Sequence, residues 1–311
     1  MFKTGFFAGL AVVLVAALML GGCKKDEDGT GPGPSPTIYA PTNLKAFSAS
    51  ATSVGLQWVL SASESEQTFN NYMLRVKDAS GALVRTDAVA KGTLTKLVAG
   101  LTEGVIYTFV MRSTTTSGAL SSDSAEVKWS PARRYENESG SPPPIKVYET
   151  SSSSSYASGL IFFKPALAGP QTVSIVGSDS ALIDVYVKTE ANNAVSLNSS
   201  HIFRSGRRIT RFSTIVRNDS TLDNPQAIPP DTSTFNNSSY LVDSVQVSSS
   251  RILYFKGNDG NYGRILIERS TAGRLIWGTS PEQYLSLRIS YQSVAFNPYS
   301  KPTRVQVTRR D

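Results

Sequence analysis

The sequence predicts an all-β protein built from two antiparallel domains, the first a two-sheet sandwich of about seven short strands. Three observations predict this. Apolar and polar residues alternate at period two in segment after segment, as in Val54, Leu56 and Trp58 against Ser53, Gly55 and Gln57. That alternation is the mark of a half-buried strand. Turn residues such as Ala79-Ser80-Gly81 and Asn258-Asp259-Gly260 separate the runs. Finally, no sustained 3.6-residue apolar period follows the N-terminal leader, and 13 Tyr stand against only 4 Met among 311 residues, a bias toward strands.

The leader is read first. Lys3 precedes an uncharged stretch from Gly5 to Leu20, which ends at Gly21-Gly22 before Cys23. A positive start, a short apolar run and small residues before a cut site mark residues 1–22 as a secretory signal. The run is shorter than the ~20 residues of a spanning helix. Leu20-Gly21-Gly22-Cys23 resembles the lipobox of bacterial lipoproteins. The resemblance implies that Cys23 is lipidated, becomes the mature N-terminus and anchors the protein to a membrane, each buried acyl methylene contributing ~0.8 kcal/mol. Cys23 is the single cysteine, so a lipidated chain has no disulfide and no Cys metal ligand. Lys24-Lys25-Asp26-Glu27-Asp28 is similar to the Lys-then-acidic signal that carries some Gram-negative lipoproteins to the cell surface. It implies an outer-membrane, surface-exposed location. Gly29 to Pro36 is Gly/Pro-rich, and residues 23–40 read as a flexible tether, at most roughly 55 Å long.

The first domain is expected over residues 41–131. Its strands center on Val54 to Trp58, Tyr72 to Val76, Leu94 to Val98, Tyr107 to Met111 and Ala125 to Trp129. Pro41-Thr-Asn-Leu44, Ser53-Val-Gly-Leu-Gln-Trp58 and Asn71-Tyr72-Met-Leu74-Arg-Val76 resemble strands A, B and C of a fibronectin type III domain, an immunoglobulin-like sandwich. Leu101-Thr-Glu-Gly104-Val-Ile-Tyr107 resembles that family's tyrosine corner, with a shifted glycine and no proline. The resemblance implies that Trp58, Tyr72, Leu101 and Tyr107 are core residues, and that the domain is a spacer or protein-binding module. No Arg-Gly-Asp motif is present.

Residues 132–144, with Arg133-Arg134 and Pro142-Pro143-Pro144, read as a semi-stiff linker. The second domain is expected over residues 145–311. Asn258-Asp259-Gly260-Asn261 between Ile252–Phe255 and Tyr262–Ile267 predicts a hairpin with a tight turn, both central residues tolerating positive φ. Further strands are read at Leu160–Phe163, Thr172–Val176, Leu182–Val187, Leu285–Tyr291 and Val305–Thr308, and residues 219–239 as one long loop. The run from Ile252 to Ile267 and the segment Leu285-Ser-Leu-Arg-Ile-Ser-Tyr-Gln292 resemble the last three strands of HmuY-like lipoproteins, and Ile183-Asp184-Val185-Tyr186 resembles an earlier one. That family's members of known role hold haem between two histidines. This chain has only His201, so one molecule lacks the pair.

Chemistry is sparse. One His without a free Cys disfavors a zinc site, and no cofactor is expected. A Ser-His-Asp triad would have to use His201, which beside Ile202 and Phe203 reads as a strand or loop residue. A glycosidase needs two carboxylates, and the 24 acidic residues leave that possibility open. Asp259 and Asn261 lack the ligand density of a calcium loop. Arg204, Arg207, Arg208 and Arg211 form the densest basic cluster in a chain of net charge +7, a candidate polyanion site or a solvated strand face. Nucleic acid is not an expected partner on an outer surface. The expected function is that of a non-catalytic envelope protein that binds a protein or glycan or serves an adhesion or scaffold role, with haem or small-ligand capture as a narrower form. The competing class is a glycan-active enzyme or its accessory.

Overall fold

The computed structural model describes residues 37–135, 144–153, 155–163, 169–224, 231–297 and 306–307. The leader, Cys23, the Lys-then-acidic run and the Gly/Pro stretch lie outside the described residues. The chain is all-β, and every ladder between named strands is antiparallel.

The first half folds as strands β1 (Thr42–Ser50), β2 (Ser53–Val59), β3 (Phe69–Lys77), β4 (Leu83–Ala90), β5 (Thr95–Val98), β6 (Tyr107–Thr115) and β7 (Ala125–Trp129), of which β4 was not expected from the sequence. They form a three-stranded sheet, β1-β2-β5, packed on a second sheet, β7-β6-β3-β4. Three strands on four is a fibronectin type III-like sandwich. Alternation decides which side chains meet between the sheets: Val54, Leu56 and Trp58 from one, and Tyr72, Leu74, Val76, Phe109 and Met111 from the other. Tyr107 Oη accepts the backbone N–H of Thr102 at 3.1 Å, the corner bond that pins the crossover to the sheet edge. Leu101 and Trp58 are buried, and Trp58 meets Tyr72 edge-on at 6.2 Å.

The expected tether ends earlier than residue 40. Ile38 and Ala40 are buried, Ala40 N donates to Asp123 Oδ1 at 2.7 Å, and Tyr39 O accepts the hydroxyls of Ser61 and Ser113. With Tyr39 N donating to Ser63 Oγ at 2.9 Å, two buried apolar side chains and four hydrogen bonds tie residues 37–40 to the sandwich.

The second half contributes β8 (Arg133–Tyr135), β9 (Ile145–Tyr148), β10 (Gly159–Ile161), β11 (Gln171–Val173), β12 (Val185–Thr189), β13 (Val195–Ser199), a one-turn helix α1 (Ser200–Phe203), β14 (Arg211–Asn218), β15 (Phe235–Asn237), β16 (Ser239–Val242), β17 (Arg251–Lys256), β18 (Tyr262–Ile267), β19 (Ile276–Trp277) and β20 (Tyr284–Tyr291). One sheet runs β11-β10-β12-β13-β16, and the facing sheet runs β15-β14-β17-β18-β20-β19 with β8 and β9 also paired to β20. Between them lie Val185, Val187 and Leu197 from the first, and Leu253, Ile265 and Leu287 from the second. Phe162 stacks on Phe255 at 4.1 Å across the gap. A short β21 (Gln306–Val307) pairs with β7.

Several sequence expectations shift here. His201 lies in α1 rather than in a strand or open loop, and Leu182 ends a 3-10 turn (Ser178–Leu182) rather than starting a strand. The stretch 219–239 is not one loop, because Phe235–Asn237 pairs with β14 and Ser239–Val242 with β13. The expected linker is not free at its start. Ala132 is buried and Arg133–Tyr135 pairs with β20; residues 136–143 lie outside the described residues. Thr37 to Asp311 group as one compact unit. Its first core runs on from the first sandwich to Leu222, Phe235, Tyr254 and Leu266 of the second half. Gly104 shows the closeness of this contact: its φ is +81°, and an added Cβ there would fall 2.2 Å from Val294 Cγ2.

Candidate functional site

A cleft of ≈ 270 Å³ opens at the strand ends of the second sandwich. Ile161 at the end of β10, Phe163 just beyond it, Leu182 of the 3-10 turn and Ala295 after β20 give its apolar walls. Arg208 before β14, Asp259 and Asn261 of the β17–β18 turn, and Ser293 supply the polar groups. Rigid strands thus present a site made from their connections.

The turn that carries Asp259 differs from the tight two-residue form expected. Gly257 N donates to Asn261 O at 2.7 Å and Gly260 N to Gly257 O at 3.1 Å. Of the turn residues only Gly260 has positive φ, at +81°. The longer loop leaves the Asp259 carboxylate free to face Arg208.

Arg208 ties three chain segments together. Its Nε donates to Asp184 Oδ1 at 2.7 Å and its Nη2 to Asp259 Oδ2 at 2.5 Å. Asp184 Oδ2 also accepts the N–H of Phe162 at 2.7 Å. The two carboxyls sit in opposed environments. Burial pushes Asp184 above the usual carboxylate range, against the pull of Arg208. The hydrogen bond from Arg208 holds Asp259 below it. Opposed shifts are one sign of an acid–base pair, but Asp184 lies 2% exposed beneath the cleft with both oxygens bonded. The arrangement makes a charged, self-satisfied wall.

The rim is apolar. Leu182, Ile209 and Phe296 are exposed, Phe296 to 73%. Ile209 N donates to the Asn258 side chain and Phe296 N to Gly260 O, so both residues flank the turn. Phe296 has φ of +59°, a conformation that costs a bulky residue energy and is concentrated at functional sites. Gly260 makes room for it, since an added Cβ would fall 2.5 Å from the phenyl ring.

The four arginines read as one cluster separate in space. Arg208 is committed to the two aspartates, Arg207 donates to Ile175 O at 2.9 Å and covers the Phe203 ring at 4.9 Å, and Arg211 donates to the Ser238 hydroxyl. Arg204 is exposed on the turn after α1. Neighbors in sequence therefore serve different contacts, and only Arg208 lines the cleft.

His201 does not line it either. Its Nδ1 is 2.6 Å from Ser199 Oγ, which accepts the N–H of Thr210 at 2.8 Å. Burial, and then the Arg211 charge, hold the imidazole below its usual pKa. Ser199 is 0% exposed, so this pair fixes α1 against the start of β14 and offers no nucleophile to solvent. Among the described residues no three His, Cys, Asp or Glu side chains gather to hold a metal ion, and no helix is long and apolar enough to cross a membrane.

The cleft escaped sequence reasoning because its lining spans Ile161 to Ala295. The one local signal was Asp259-Gly260 at a hairpin tip.

No family model and no curated protein matches the chain. Solved structures similar to it include fibronectin type III domains. One from human collagen alpha-1(XX) is 18% identical, covering 35% of this chain and 100% of that one at a TM-score of 0.27. The third fibronectin III domain of a second human protein is 14% identical over 38% of this chain and 100% of that one, at 0.29. The FN5 domain of Drosophila Lar is 22% identical over 29% of this chain and 94% of that one, at 0.22. The fibronectin type III-like character of the first half stands on its strand order, its register and the Tyr107 corner.

Proposed function

We propose that the protein is a lipid-anchored outer-membrane protein, exposed at the cell surface, that binds a protein or glycan ligand without catalysis. The anchor is Cys23, and the Lys24-Lys25-Asp26-Glu27-Asp28 run directs export. The fibronectin type III-like sandwich acts as a binding or spacing module that holds the second sandwich away from the membrane. The cleft is the ligand site of the second sandwich. The observation that carries this reading is the exposed, strained Phe296 beside a cleft whose charged groups already satisfy one another. Such a site favors an uncharged group with an apolar face, such as a sugar ring or an apolar peptide side chain. Haem capture, suggested by the HmuY resemblance, draws no support from His201, whose ring is tied to Ser199.

A glycan and peptide array probed with the detergent-solubilized full chain tests the cleft. Specific binding that falls about tenfold in Phe296→Ala, a loss of roughly 1.4 kcal/mol, at unchanged melting temperature is expected. Equal binding by both proteins would remove the cleft from the reading. Radiolabeled palmitate incorporated by the wild type and absent from Cys23→Ala tests the anchor.

A further inference from the structure

The outer face of the sheet β7-β6-β3-β4 carries a second site, independent of the cleft. Alternation that sends Tyr72, Leu74 and Val76 into the core turns Met73, Arg75 and Lys77 outward on β3. On β6 it turns Thr108, Val110 and Arg112 outward. The register sets Met73 opposite Arg112, Arg75 opposite Val110 and Lys77 opposite Thr108. Arg75 and Arg112 are therefore diagonal neighbors, about 7–8 Å apart, and Lys77 follows Arg75 by two residues, about 7 Å along the strand. These three cations, with Met73 and Val110 between them, line one recess of ≈ 60 Å³.

Arg75, Lys77 and Arg112 take part in none of the ion pairs among the described residues. Other arginines find carboxylates: Arg85 pairs with Asp87, Arg134 with Asp223 and Arg288 with Glu268. On the outward positions of β3, β6 and β7 the only carboxylate is Glu126, opposite Val110. Like charges set side by side on a sheet repel. An anion between them relieves that repulsion and receives charge-assisted bonds from two guanidinium forks. The recess has room for one oxyanion group, since a cavity for one water needs about 10–15 Å³.

We propose that this face binds a sulfated or carboxylated polysaccharide, with one oxyanion seated between Arg75, Lys77 and Arg112. A polymer fits better than a single small anion, because the cations spread along β3 and β6 from the level of Met73, opposite Arg112, to Lys77, about 14 Å at ~3.4 Å per residue. Met73 and Val110 offer apolar surface for the C–H faces of the sugars between anionic groups.

Dextran sulfate is the probe, with neutral dextran as the blank, and the full chain in detergent is titrated over a range of salt. Two triple variants remove equal charge: Arg75→Ala/Lys77→Ala/Arg112→Ala at the site, and Arg204→Ala/Arg217→Ala/Arg274→Ala on the second sandwich. Salt-sensitive binding weakened about tenfold or more by the first and by less than about threefold by the second is expected. Arg75→Lys/Arg112→Lys, which keeps charge and loses the forks, should bind at an intermediate level and guards against misfolding of the alanine variant. Equal losses in the two triple variants would reduce the effect to net charge and overturn the proposal. Binding to anionic phospholipid vesicles without binding to dextran sulfate would overturn it in favor of a lipid surface.

Discussion

The side-chain amide of Gln292 donates to Ser130 Oγ at 3.1 Å and to Pro131 O at 3.2 Å, fully buried where the two sandwiches meet. Its own Oε1 accepts Val294 N. Nearby, Glu103 Oε1 accepts Arg133 N at 2.7 Å, and the Asn297 side chain donates to Gly104 O. Buried polar groups satisfied in this way fix one orientation, because any sliding would leave them unpaired. The first sandwich is therefore a rigid mount for the second.

Removal of that amide tests the mount. Gln292→Ala deprives Val294 N of its acceptor and removes one of the donors to Pro131 O, which keeps Gly104 N and the Ser130 hydroxyl, and this should cost about 1–3 kcal/mol. Urea denaturation of the wild type is expected to show one transition for both halves. The variant should unfold earlier, and a split into two transitions would identify Gln292 as a coupling residue as well as a stabilizing one. Unchanged stability would contradict a dry contact.

Tyr107→Phe isolates the corner bond. The ring stays in the core while Thr102 N loses its acceptor. A loss of about 1 kcal/mol is expected, read from the denaturation midpoint at constant slope.

Arg208→Met leaves Asp184 buried without its counter-charge. At pH 7 this should cost about 3–5 kcal/mol. The pH dependence has a definite sign. Burial raises the Asp184 carboxyl above its ordinary 3.8, so the folded chain keeps that proton to higher pH than the unfolded chain. The stability this group contributes is greatest at low pH and falls as pH rises through that window. Loss of Arg208 raises the carboxyl further, so the gap between variant and wild type should narrow as pH falls. A gap independent of pH would show that Asp184 is not the group left exposed to the penalty.

Much of this protein was written locally. Alternation in Ser53–Val59, Phe69–Lys77, Tyr107–Thr115 and Tyr284–Tyr291 reports which face of each strand avoids water, and that needs only neighbors in sequence. The Leu101–Tyr107 spacing likewise encodes a corner five residues wide. Segments lacking clean alternation were harder to place. β13 is buried at all five positions, and β14 begins inside an arginine-rich run. There the hydrophobic pattern cannot separate strand from loop.

Local pattern was enough for the all-β class, for the strands of the first sandwich other than β4, and for Trp58, Tyr72, Leu101 and Tyr107 of its core. Folding had to bring Gln292 to Ser130 across 162 positions, set Arg208 between Asp184 and Asp259, and place Arg75 and Arg112 in one recess. The difference is one of range. Hydrophobic period is a property of a strand against water, whereas charge pairing and buried hydrogen bonds depend on register between strands distant in the chain.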